Sequence, residues 1–157
     1  MSATKKSLNA AEALQKLRHY CGYQERCHTE VREKLYKLEI AKKIHDGIIA
    51  SLIEEGYLDE ERFAIAFAGG KFRVKQWGKQ KIRHALAQKQ VSGYSINKGL
   101  SKIKDDEYIA VLKKLAEEKY ESLNQQQWVI RKRKTMDYLL QKGYEPELVN
   151  EVLAGVE

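Results

Sequence analysis

The sequence is poor in the residues that interrupt helices or bridge a chain. It has one proline and ten glycines in 157 residues, too little turn punctuation for a fold of many short strands. Its two cysteines, Cys21 and Cys27, are too few for a disulfide framework. They stand six apart beside His28, without the close pair and second ligand pair of a zinc site. No apolar run approaches membrane-spanning length, and Met1–Leu8 is polar rather than signal-like, so a cytoplasmic protein without membrane contact is expected. Catalytic patterns are missing too. There is no G-x-S-x-G elbow, and Gly69-Gly70-Lys71 lacks the flanking residues of a phosphate loop. His19, His28, His45 and His84 fall in separate segments with no helical metal spacing. The acidic run Glu54, Glu55, Asp59, Glu60, Glu61 straddles a helix end and a helix start, where carboxylates serve as caps. The expectation is a non-enzyme with no metal or cofactor.

What is present favours helix. Hydrophobic residues make up 43% and charged residues 32%, enough apolar material for a modest core. Nine helices follow from period and caps. The first starts at Asn9 with Glu12 behind it and carries Ala13, Leu14, Leu17, Tyr20 and Cys21. Thr29 is expected to cap the second (Val31, Leu35, Leu38), and the third carries Ile44, Ile48, Leu52 and Ile53 up to Gly56. Asp59 caps the fourth, with Phe63, Ala66 and Phe67 inward. The fifth follows Trp77-Gly78 and buries Ile82, Ala85 and Leu86; the sixth follows Ser92 with Ile96, Leu100 and Ile103. Asp105-Asp106 open the seventh (Tyr108, Leu112, Leu115), the eighth runs from about Gln125 through Trp128, Thr135 and Leu139, and Pro146 opens the ninth (Val149, Val152, Leu153).

The helices come in threes. Val31, Leu35 and Ile40 recur 51 residues later as Ile82, Leu86 and Val91, and the last two recur 53 residues later as Leu139 and Tyr144. A charged residue (Glu30, Lys81, Lys134) precedes each leucine by five. One three-helix unit buries little apolar surface alone, so stacked units are the physical expectation. The predicted fold is all-α, three tandem three-helix repeats forming an elongated, curved, solenoid-like body with no deep pocket. A flexible tail over 1–8 precedes repeats over 9–56, 57–104 and 105–157.

Charge is concentrated. Lys71, Arg73, Lys75, Lys79, Lys81, Arg83 and Lys89 are seven basic residues in a stretch with no acidic one, equal to the net charge of +7. Of 29 lysines and arginines, the other 22 balance the 22 acids. A neutral body with one basic block, interleaved with Phe72 and Trp77, suits phosphate contacts plus stacking. Trp77 reads equally as a core anchor. Arg131-Lys132-Arg133-Lys134 spans just over one helical turn and cannot all be buried, which makes it a second candidate. A helix-turn-helix reading is also open: Lys79 to Leu100 with Tyr94–Ile103 as recognition helix, where only Asn97, Lys98 and Lys102 suit base edges. So is a helical-repeat adaptor without nucleic-acid contact.

Four stretches taken together resemble the RecX family: Tyr20-Cys21 with Glu25-Arg26-Cys27; Glu30-Val31-x-x-Lys34-Leu35; Gly56-Tyr57-Leu58-Asp59-Glu60-Glu61-Arg62-Phe63-Ala64; and Trp77-Gly78-x-x-Lys81-Ile82-x-x-x-Leu86. Glu60 departs from the family's usual second aspartate without changing the capping chemistry. Past Val91 the likeness rests on helix count and the Leu139/Gly143-Tyr144 pattern. The resemblance implies three tandem three-helix repeats. It also implies a monomeric regulator that binds the RecA filament on single-stranded DNA and inhibits its ATP hydrolysis and strand exchange, within DNA repair, recombination and the SOS response. Arg62 joins the two basic clusters as a candidate contact to RecA or DNA.

Overall fold

The computed structural model describes residues 7–156, so most of the expected 1–8 tail lies outside the described residues. Among these residues there are nine α-helices and no strand: α1 Ala10–Tyr23, α2 His28–Lys37, α3 His45–Glu54, α4 Glu60–Lys75, α5 Lys79–Gln88, α6 Gly93–Ser101, α7 Asp105–Ser122, α8 Trp128–Gln141 and α9 Pro146–Ala154. A single 3-10 turn, Lys42–Ile44, leads into α3.

Local chemistry sets most helix starts. Asn9 Oδ1 accepts the Glu12 amide at 2.8 Å, Asp59 Oδ1 that of Arg62 at 3.0 Å, and Ser92 Oγ that of Ser95 at 3.3 Å. Pro146 occupies the first turn of α9. The second helix departs from expectation. Its cap is Cys27, whose amide donates to the Glu30 carboxylate at 3.0 Å. Thr29 instead donates its hydroxyl to the Lys89 carbonyl 60 residues away, a tertiary bond that outcompetes the local one. α8 begins at Trp128 rather than near Gln125.

Each repeat ends its second helix in the same turn, which explains the leucine-to-apolar spacing. Glu39, Gln90 and Gly143 adopt left-handed φ of 59°, 62° and 101°. The amide of the following residue then donates back to the leucine carbonyl: Ile40 to Leu35 (3.0 Å), Val91 to Leu86 (3.1 Å), Tyr144 to Leu139 (3.2 Å). This is the Schellman closure, and all six side chains it brings together are buried.

Two apolar clusters result. Repeat 1 (α1–α3) encloses its own, from Ala13 and Leu17 through Val31, Leu35, Ile48, Ile49 and Leu52 to Leu58. Repeats 2 (α4–α6) and 3 (α7–α9) share the other, which runs without a break from Phe63 to Leu153. Two expected core residues face solvent: Ile53 is displaced by Ile49, and Ala66 by Ala64 and Ala68. The body is extended, with 10144 Å² of accessible surface where a compact monomer of 18.2 kDa would show roughly 8,100 Å².

The two joints differ. Between repeats 2 and 3, the Gly78 amide donates to the Lys142 carbonyl (2.8 Å) and the Gln80 amide to that of Gly143 (3.0 Å). A Cβ on Gly78 would sit 2.2 Å from the Gly143 carbonyl carbon, so this backbone approach needs glycine. Below it Phe72, Tyr108 and Tyr144 stack at centroid distances of 5.7 and 5.1 Å. The Tyr108 hydroxyl accepts the Lys79 amide (2.9 Å) and donates to Glu145 (2.7 Å). Between repeats 1 and 2 the polar contacts among the described residues include the Thr29–Lys89 bond, a bond from Arg62 to the Gly56 carbonyl and two ion pairs, Arg62–Glu25 at 2.6 Å and Lys89–Glu30 at 3.9 Å. Among the described residues of repeat 1, only Cys27 crosses into the larger core.

Candidate nucleic-acid interface

The basic block Lys71–Lys89 covers the end of α4, a three-residue connection and α5 plus its cap, so successive cations rotate around two helix axes and separate. Lys71, Lys81 and Lys89 stay together, joined by aromatic rings. The Lys81 ammonium lies 4.7 Å from the Trp77 ring centroid and that of Lys71 5.0 Å from it. Lys71 is also 5.4 Å from the Phe67 ring, which Lys89 approaches at 6.0 Å. The order Lys81, Trp77, Lys71, Phe67, Lys89 is a continuous patch. Both rings are half-buried and packed on the core beneath, so Trp77 is at once an anchor and a platform. Each cation–ring contact in such half-open settings contributes about 0.5–1 kcal/mol. Neither Lys71 nor Lys81 has a carboxylate partner among the described residues; Lys89 has Glu30 at one end of the patch.

The other candidates go elsewhere. Lys79 sits 3.6 Å from Asp105 and 4.8 Å from the Tyr108 ring, at the joint with repeat 3. Arg83 Nη1 donates to Asn97 Oδ1 (2.9 Å) on α6. Arg73 folds back over Gly69 of its own helix, and Lys75 is exposed at the end of α4. Arg62 clamps the first joint, donating to Glu25 and to the Gly56 carbonyl (3.0 Å). In the second cluster Arg131 donates twice to the Tyr120 carbonyl and covers its ring at 3.8 Å, fastening α8 to the end of α7. Lys132 is half-buried, and Arg133 and Lys134 are exposed.

The 51-residue offset found with the leucines also relates these side chains. Shifted back by 51, Lys71 and Trp77 fall on Tyr20 and Arg26, whose guanidinium lies 3.8 Å over the Tyr20 ring. Cation and aromatic exchange places while the contact persists. The same shift carries Arg83–Asn97 onto Arg32–Asp46, an ion pair at 2.6 Å. Phe67 is the patch residue that sequence reading assigned to the core alone; its i, i+4 spacing to Lys71 was the available signal. No group of three metal-ligating side chains occurs among the described residues, and none of their helices is long and apolar enough to cross a membrane.

The fold and its basic, ring-lined face define a tandem three-helix-repeat protein with an open basic surface. Family models for the second and third three-helix domains of RecX match residues 59–100 and 105–153, together more than half of the chain. The chain belongs to the RecX family of regulatory proteins. It is 30% identical over 131 residues to the regulatory protein RecX of Clostridium acetobutylicum, covering 81% of this chain and 60% of that protein. Against the one from Lactobacillus johnsonii it is 31% identical over 144 residues, covering 92% and 53%. For the Bacillus cytotoxicus protein the figures are 27% over 130 residues, 83% and 48%. The chain thus spans about half the length of these curated relatives. The crystal structure of RecX from Lactobacillus salivarius superposes with a TM-score of 0.85 at 20% identity over 93% of this chain and 95% of that one. A second RecX crystal structure gives 0.83 at 21%, over 90% and 71%.

Proposed function

We propose that this protein is a non-enzymatic, monomeric regulator that binds the RecA filament on single-stranded DNA in the cytoplasm and suppresses its ATP hydrolysis and strand exchange. The observation that carries the reading is the Lys81–Trp77–Lys71–Phe67–Lys89 patch, cations unpaired at its centre and rings at their feet. Lysines supply salt-dependent phosphate contacts and rings supply sequence-tolerant stacking. An extended body whose repeats, taken as 9–56, 57–104 and 105–157, continue along one path is suited to tracking a filament. Repeats 1 and 2 would dock on RecA while the patch meets DNA phosphate or acidic RecA surface. Arg133 and Lys134 add charge at the far end.

The test is RecA ATPase on single-stranded DNA, titrated with this protein at two salt concentrations. Inhibition at less than one molecule per RecA, weakening with salt, is expected. The double reversal Lys71→Glu, Lys81→Glu should abolish it while leaving the thermal transition in place. Full inhibition by that variant removes the patch from the mechanism. No effect of the unaltered protein, together with preference for one duplex sequence, would favour the helix-turn-helix reading.

A further inference from the structure

Repeat 1 carries an open groove of about 810 Å³ between α1 and α2, on a different unit from the patch just described. Lys16, Tyr20, Tyr23, Arg26, Lys34 and Leu38 are among its lining residues, and its wall is chiefly apolar. A feature of this size was not expected from sequence. Its charge is one-sided, with Lys16, Arg26 and Lys34 at the rim against Glu12 as the one carboxylate. Those three cations have no carboxylate partner among the described residues. The contrast with their neighbours is informative. Of the four arginines up to residue 62, Arg18, Arg32 and Arg62 each meet a carboxylate at 2.6 Å, and Arg26 does not. Arg26 instead donates Nε to the Tyr20 carbonyl at 3.2 Å and lies over that ring, so its charge is held in place at the groove with no carboxylate to balance it.

The Tyr20 ring already carries the Arg26 guanidinium at 3.8 Å and the Lys34 ammonium at 5.5 Å. The guanidinium lies close enough to occupy one face of the ring, so the groove presents two oriented cations to an approaching carboxylate. Tyr23, 79% exposed, adds a large ring at the rim that no described residue covers. We infer that the groove is a docking site for an acidic protein segment, one that presents two or three carboxylates around an apolar anchor. The apolar wall takes the anchor, and Lys16, Arg26 and Lys34 take the carboxylates, the arrangement by which helical grooves select amphipathic peptides. This goes beyond the regulator reading and stands apart from it, because neither RecA nor DNA enters the argument.

The probe is a fluorescein-labelled synthetic helix with leucines on one face and glutamates on the other, titrated against the full chain by anisotropy. A counterpart with lysine in place of glutamate is the control. Binding of the acidic peptide alone is expected. It should weaken roughly tenfold or more in Lys16→Glu, Lys34→Glu and several-fold in Tyr23→Ala, a substitution of an exposed side chain that the fold tolerates. Lys71→Glu, Lys81→Glu should leave it unchanged, which separates this site from the patch. Equal binding to the groove variant, competition by oligo-dT, or concentration-dependent self-association that blocks the peptide would each overturn the assignment.

Discussion

The joint between repeats 2 and 3 and the joint between repeats 1 and 2 link the same kind of unit by opposite means. The second joint pairs backbone with backbone across two glycines and seals the contact with three stacked rings inside a continuous core. The first relies on side chains at the surface, Arg62 on Glu25 and Lys89 on Glu30, with one threonine bond and one cysteine beneath. Buried pairing of this sort is nearly indifferent to salt, whereas exposed ion pairs are screened and contribute little. The expectation is that repeats 2 and 3 act as one rigid piece and that the angle of repeat 1 responds to conditions.

The comparison is broken most directly by Gly78→Ala. Its Cβ meets backbone rather than a yielding side chain, so a loss of about 3 kcal/mol or more is expected in urea denaturation. Tyr108→Phe removes a buried hydroxyl with two partners, Lys79 and Glu145, and should cost about 1–3 kcal/mol by the same measurement. Arg62→Ala at the first joint should cost under about 1 kcal/mol. It should nonetheless broaden the distance between fluorophores on repeats 1 and 3 in a single-molecule energy-transfer experiment, as high salt does for the unaltered chain. An unchanged distribution would make the first joint as rigid as the second.

The smallest effect sharpens the contrast inside the repeats. Arg32, bonded to Asp46, holds that carboxyl below the usual range. The pair's contribution is complete above about pH 4 and is lost as pH falls through the depressed value. Its counterpart Arg83–Asn97 has no group that titrates there. Asp46→Asn gives repeat 1 the arginine–asparagine pair of repeat 2, which has no carboxyl to protonate, so the fall in melting temperature on acidification should become shallower. An identical slope in the variant would mean the ion pair plays no part in acid sensitivity.

The repeat register was legible in the sequence because the Schellman turn forces a fixed distance between Leu35 and Ile40, Leu86 and Val91, Leu139 and Tyr144. Caps at Asn9, Asp59 and Ser92 were legible for the same local reason. The Cys27 cap was not, since the Thr29 hydroxyl is recruited by a carbonyl 60 residues on, and no local pattern carries that information. The basic block was visible as composition but not as a surface. A helix turns about 100° per residue, so neighbours in sequence such as Lys79 and Lys81 part company, one to Asp105 and the other to Trp77. Arg62 stood among the expected contacts on account of its motif, and its geometry gives it a role in holding repeats 1 and 2 together.

The two free thiols turn these joints into clocks. Burial pushes the Cys21 thiol up to about 11 and raises that of Cys27 as well, so neither ionises readily while the protein is closed. Cys21 sits inside the repeat 1 core, and Cys27, 1% exposed, is sealed where that repeat abuts the larger cluster. An alkylating reagent can mark Cys27 only in the moments when the seam parts, and Cys21 only when the first unit itself breathes. A time course read by mass spectrometry would thus keep two tallies in one molecule, with no label added to the chain.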